Sequence, residues 1–88
     1  MTSEIIEYPD YDISGSGNAK TILLLHGTGV TRKMWIPQMT VLSHTYLLLA
    51  PDLLGHGSRR QEMFTFKRAV ADIKTIIENN NSGNVLIV

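Results

Sequence analysis

His26-Gly27-Thr28-Gly29, directly behind an unbroken apolar run, is the first place in this 88-residue sequence where residue types and spacing suit chemistry. Glycines let a backbone bend sharply, and a bent loop leaves peptide N–H groups pointing into a crevice, where they suit a developing oxyanion. A tight turn without function is the other reading of the same four residues. A second glycine-bent loop, Pro51-Asp52-Leu53-Leu54-Gly55-His56-Gly57-Ser58, follows another apolar run. Asp52, His56 and Ser58, with His26, offer the residue types of a Ser-His-Asp triad. A triad draws its members from separate elements and sets the imidazole between its two partners, which neighbours in one short loop do not satisfy. Asp52 and His56 are instead expected to hold their loop by hydrogen bonds, with Gly55 and Gly57 supplying its special backbone angles. His and carboxylate spacing offers no metal motif, and no cofactor is expected. Gly27-Thr28-Gly29 after one strand, with Asp52 ending the next, also has the layout of a nicotinamide-dinucleotide site. Arg32 stands where the third glycine would be, and Pro37 falls inside the helix that should start at the glycines, so that oxidoreductase reading is disfavoured.

Elements must hold these loops. Thr21-Ile22-Leu23-Leu24-Leu25, Tyr46-Leu47-Leu48-Leu49-Ala50 and Val85-Leu86-Ile87-Val88 are apolar without period-2 alternation, the signature of buried parallel strands. The spacing predicts a short helix from about Ile36, with Pro37 in its first turn, to about Ser43. It predicts a second helix in which Phe66, Ala69, Val70, Ile73, Ile76 and Ile77 share a stripe and Thr65 is the N-cap. Asn79 to Gly83 should break that helix, and Gly15-Ser16-Gly17-Asn18 is turn chemistry ahead of the first buried strand. Glu4 to Ile13, with Pro9 inside, suits an edge strand or an irregular lead-in. The result is a β-α-β-α-β pattern: an α/β sheet with right-handed crossovers and helices on both faces. Ligands in such sheets bind beyond the carboxyl ends of the strands, where both glycine loops fall. Ending on an apolar strand with no helix to cover it, residues 1–88 are expected to be a partial domain.

Four features in order resemble the α/β-hydrolase superfamily, in its esterase, lipase, epoxide hydrolase and carbon-carbon hydrolase branch: ILLLHGTG at 22–29, MWIPQM at 34–39, YLLLAPDLLGHGS at 46–58 and VLIV at 85–88. The resemblance implies that the strand at Val85–Val88 leads to a Gly-x-Ser-x-Gly nucleophile elbow, with acid and histidine later still. None of the triad would then lie in residues 1–88, and this chain alone would be inactive. It also implies that the Thr28 backbone N–H is one of two oxyanion donors, with His26, Gly27 and Gly29 shaping the loop and His26 orienting it without shuttling protons. Trp35 would be a pocket wall, although a core position at a helix start suits it better. The implied spatial order places Tyr46–Ala50 and Val85–Val88 on opposite sides of Thr21–Leu25. The implied parent hydrolyses a small ester or related bond in a small-molecule substrate. A non-catalytic binding module on the same fold is the alternative.

Composition sets the outer limits. Hydrophobic residues make 43% of the chain and charged residues 18%, with no cysteine, which is a core-forming composition without disulfide staples. Eight basic residues balance eight acidic ones, so no whole-chain field attracts nucleic acid or a membrane surface. No apolar run approaches the roughly 18 residues of a membrane span, and the acidic start is unlike a signal peptide, so a cytoplasmic location is expected. Glu4, Glu7, Asp10 and Asp12 all precede the first base, Lys20, and the basic doublets Arg32/Lys33, Arg59/Arg60 and Lys67/Arg68 follow. Solvated surface is the expected place for these charges. An exposed edge at Val85–Val88 would favour self-association.

Overall fold

The first two apolar runs form the centre of a five-stranded sheet, and the third its edge, in the computed structural model, which describes residues 5–15, 20–80 and 84–88. Its strands are β1 (Ile6–Glu7), β2 (Tyr11–Ser14), β3 (Thr21–Leu23), β4 (Leu47–Pro51) and β5 (Val85–Ile87), in the spatial order β1-β2-β4-β3-β5. β3 is parallel to both β4 and β5, with Ile22 opposite Leu48 on one side and Leu86 on the other. The implied order of the three apolar strands therefore holds. The pleat sends alternate residues to opposite faces. Ile22, Leu24, Leu48 and Ala50 pack with Met39 on one face, and Leu23 and Leu49 pack with Ile76 on the other.

One helix serves each face. α1 (Ile36–Leu42) begins with Pro37 in its first turn, where a missing N–H costs nothing, and buries Met39. A 3-10 turn, Arg32–Trp35, leads into it, and the Thr31 hydroxyl caps that turn by accepting from the Lys33 N–H. α2 (Phe66–Asn79) is capped by Thr65, whose hydroxyl accepts from the Arg68 N–H at 3.1 Å. Its apolar stripe is only partly covered: Ala69 and Ile76 are buried, whereas Phe66 is 79% and Val70 50% exposed. The expected break after the helix falls largely on residues 81–83, and most of the turn read at Gly15–Asn18 falls on 16–19; both lie outside the described residues.

The N-terminal stretch differs from a single edge strand. β1 and β2 form an antiparallel hairpin, and β2 adds antiparallel to β4, so the sheet is mixed. Pro9 sits in the connection, where its lack of a donor breaks no ladder bond, and the Tyr8 N–H donates across the turn to the Tyr11 carbonyl at 2.8 Å. The other edge is β5. Leu86, Ile87 and Val88 are each more than half exposed. Among the described residues, no helix is long and apolar enough to cross a membrane.

Candidate functional site

Both glycine loops emerge at the carboxyl ends of the strands. β3 is extended by Leu24 N–H to Leu49 O and by Leu25 N–H to Val88 O, each 2.8 Å, and the chain then enters His26. His26 is buried, and its two ring nitrogens have different jobs. Nε2 accepts the Leu53 N–H at 3.0 Å, so the ring proton resides on Nδ1, which donates to the Gly27 carbonyl at 2.8 Å. The neutral ring thus joins the two loops. The His26 and His56 rings meet edge to face, with centroids 5.1 Å apart.

Gly27, Thr28, Gly29 and Val30 are exposed beyond this anchor. The peptide N–H of Thr28 has no acceptor among the described residues. Gly29 adopts φ +84°, a conformation other residues rarely take, while Gly27 does not lie in the positive-φ region. The bend therefore belongs to Gly29. A Cβ at Gly27 would meet nothing within 4 Å.

Asp52 is the hub of the second loop. Its Oδ1 accepts the Arg32 N–H at 2.8 Å, and its Oδ2 accepts the Ser58 N–H at 3.2 Å and the Ser58 hydroxyl at 3.0 Å. Burial pushes the Asp52 carboxyl up, but these hydrogen bonds and the nearby Arg32 charge outweigh it and hold the group below the usual carboxylate range. Gly57 lies at φ +53°, and any Cβ there would run into the Asp52 carboxylate. Gly55 lies at φ +83°. His56 Nδ1 donates to the Leu54 carbonyl at 3.2 Å, within its own loop.

No triad is assembled from these groups: Ser58 bonds the carboxylate directly, with no imidazole between them. Trp35 packs on the α1 face against the cluster of Ile22, Leu24, Met39, Leu48 and Ala50, and its Nε1 is buried without a partner among the described residues. Among the described residues, no group of three or more His, Cys, Asp or Glu side chains is placed to hold a metal ion.

Two of the basic residues expected on the surface are buried. Arg32 is 6% exposed; its Nη1 and Nη2 donate to the Pro9 and Tyr8 carbonyls at 3.0 Å each, and its Nε lies 3.1 Å from Asp12. Arg59, 8% exposed, pairs with Glu62 at 3.0 Å and Asp72 at 2.6 Å. Asp12 is fully buried between Arg32 and Lys33, and Lys33 also pairs with Glu7. Burial would lower the Lys33 pKa, but its bonds to Glu7 and Asp12 raise it overall. The sequence carried a signal for this pairing: the acids crowd ahead of Lys20 and the bases follow, and β2 brings the two sets together.

The sequence that carries these two strand ends and their glycine-bent loops matches the model of the alpha/beta hydrolase family over residues 22–88. The chain belongs to the α/β-hydrolase family. The hydrolase-family sheet is also the sheet of several solved structures. A metagenomic epoxide hydrolase from a hot environment superposes with a TM-score of 0.76 at 21% identity, over 99% of this chain and 33% of the other. The thioesterase domain of the curacin biosynthetic pathway gives 0.64 at 22% identity, over 99% and 34%. The haloalkane dehalogenase DpaA of Paraglaciecola agarilytica NO2 gives 0.64 at 19%, over 97% and 33%. Uncharacterized proteins of Mycobacterium tuberculosis and Mycobacterium bovis are 45% identical over 47 residues, which is 53% of this chain and 13% of each of theirs. The chain thus spans about a third of the solved structures and a smaller share of the curated relatives.

Proposed function

We propose that residues 1–88 supply the oxyanion loop of an α/β-fold hydrolase, with the Thr28 peptide N–H as one of two donors to the developing oxyanion. The observation that carries this reading is the Thr28 N–H, without an acceptor among the described residues, in an exposed loop at the carboxyl end of β3, flanked by β4 and β5 and anchored at His26. In this mechanism a nucleophile attacks the carbonyl of a small ester or related substrate, a histidine takes and returns the proton, and charge gathers on the carbonyl oxygen. Peptide N–H groups already aimed at that oxygen stabilise it without reorganising. Nucleophile, histidine and acid belong to the other two-thirds of the fold, so residues 1–88 alone do not turn over substrate. His26, neutral and bonded at both nitrogens, orients the loop and moves no proton.

The test compares two substitutions in a chimaeric hydrolase in which residues 1–88 replace the matching first third of an active esterase relative. Thr28→Ala keeps the amide and should stay within a few-fold of the parent in kcat. Thr28→Pro deletes the donor and should cost about 10²- to 10³-fold. Melting temperature and KM are followed alongside, to separate lost donation from a distorted loop. Equal activity of the two variants removes Thr28 from the reaction.

A further inference from the structure

Apart from the loose turn at Thr28–Gly29, no N–H of residues 27–31 finds an acceptor among the described residues, so this stretch holds little of its shape by its own backbone bonds. Its shape must come from its two ends. His26 fixes the first end to Leu53. Arg32 fixes the second, and does so in four directions: its backbone N–H to Asp52, its Nη groups to the Tyr8 and Pro9 carbonyls, and its charge against Asp12. A guanidinium suits such a junction because its donors are arranged in a rigid planar fork. We propose that Arg32 is the positioning residue of the Thr28 loop, strapping it to the turn of the β1–β2 hairpin so that the hairpin sets where the loop stands above the sheet.

The second buried arginine supplies the comparison. Arg59 bonds Glu62 and Asp72, tying the Gly55–Phe64 segment to α2; it reaches the hairpin only through a longer charge contact, Nε to the Asp10 carboxylate at 3.8 Å, and makes no bond to the Tyr8 and Pro9 carbonyls. Each arginine therefore makes its short bonds to the loop beside it. The inference takes from the proposed function only the identity of the group being positioned. A loosened loop around an idle Thr28 would leave the strap standing and refute the oxyanion role alone.

Limited proteolysis of the 88-residue chain with thermolysin, which cuts before large apolar residues, reads both loops in one sample at low protein concentration. The Gly29–Val30 bond reports on the first loop and the Met63–Phe64 bond on the second, and Val30 and Phe64 are exposed at 41% and 48%. Arg32→Met should speed cleavage at Gly29–Val30 about tenfold and leave Met63–Phe64 within about twofold, as local opening at one site becomes more populated. Arg59→Met should do the reverse. Arg32→Lys keeps the charge facing Asp12 but cannot bridge both hairpin carbonyls, so it should show the same selectivity as Arg32→Met. Equal acceleration at both bonds in the two Arg32 variants, cleavage like the parent's in either of them, or an Arg59→Met effect at Gly29–Val30 as large as that of Arg32→Met would each overturn the proposal.

Discussion

The two edges of the sheet are held in opposite ways. At the hairpin edge, paired charge holds the chain: the buried Asp12 and Asp52 face the buried Arg32, the exposed Lys33 joins Asp12 to Glu7 at the surface, and every one of these links crosses between segments far apart in the chain. At the β5 edge the exposed strand is apolar. Leu86, Ile87 and Val88 are exposed, and a cavity of about 340 Å³ beside them is lined solely by apolar side chains, Leu25, Leu53, Phe64, Phe66 and Val70 among them. An ion network must be satisfied within the segment that contains it, because an unpaired buried charge is costly. Apolar surface has no such requirement and can wait for whatever packs against it. In this chain the loops of the candidate site are fixed from the self-sufficient edge.

Substitutions at the two edges should therefore differ sharply. Asp12→Ala leaves the Arg32 guanidinium without its nearest counter-charge and should destabilise the chain by about 3 to 5 kcal/mol in urea unfolding; a loss under 1 kcal/mol would show the network to be ornamental. Gly57→Ala forces a left-handed angle on alanine and displaces the Asp52 carboxylate, and should cost about 2 to 3 kcal/mol by the same measurement. Acid should act at the hairpin edge as well. The Asp52 pKa is lower in the folded chain than in the unfolded one, so its contribution is present above about pH 4, the unfolded value, and is lost as pH falls through the folded value. Asp52→Asn should be less stable at neutral pH and should lose less on acidification, read from unfolding midpoints between about pH 2 and 6. An unchanged acid slope would place the titration elsewhere. The smallest stability effect belongs to β5: Leu86→Lys should change stability by under about 0.5 kcal/mol, yet reduce self-association of the chain in sedimentation. Val41→Lys, at an equally exposed apolar site on α1, should leave association unchanged. Equal relief by both would show association to be unspecific.

What the sequence made legible follows from where local signals are strong. Thr21–Leu25, Tyr46–Ala50 and Val85–Val88 declared themselves as strands because an apolar run without alternation has few other uses, although Val85–Val88, at the sheet edge, is exposed where burial was expected, and Pro37 and Thr65 marked their helix starts by local chemistry. The hairpin was hidden because β1 spans only Ile6–Glu7 and its partner β2 mixes Asp12 and Ser14 with Tyr11 and Ile13. The roles of Arg32 and Arg59 were hidden for a different reason. A basic doublet reads as surface unless its partners are known, and those of Arg32 lie twenty or more residues away, upstream in the hairpin and downstream at Asp52. Within the site, both loops were legible from their glycines, but the division of labour was not: Gly29 carries the positive φ while Gly27 does not.

The most direct measurement is a crystal structure of the chimaeric hydrolase inhibited by a phosphonate ester, whose tetrahedral phosphorus stands in for the carbon of the reaction intermediate. The account predicts a phosphonyl oxygen about 2.7 to 3.1 Å from the Thr28 nitrogen, with His26 still accepting from Leu53 and Arg32 still bridging Tyr8, Pro9 and Asp52. A phosphonyl oxygen held by other donors, with the Thr28 N–H turned to solvent, would contradict it.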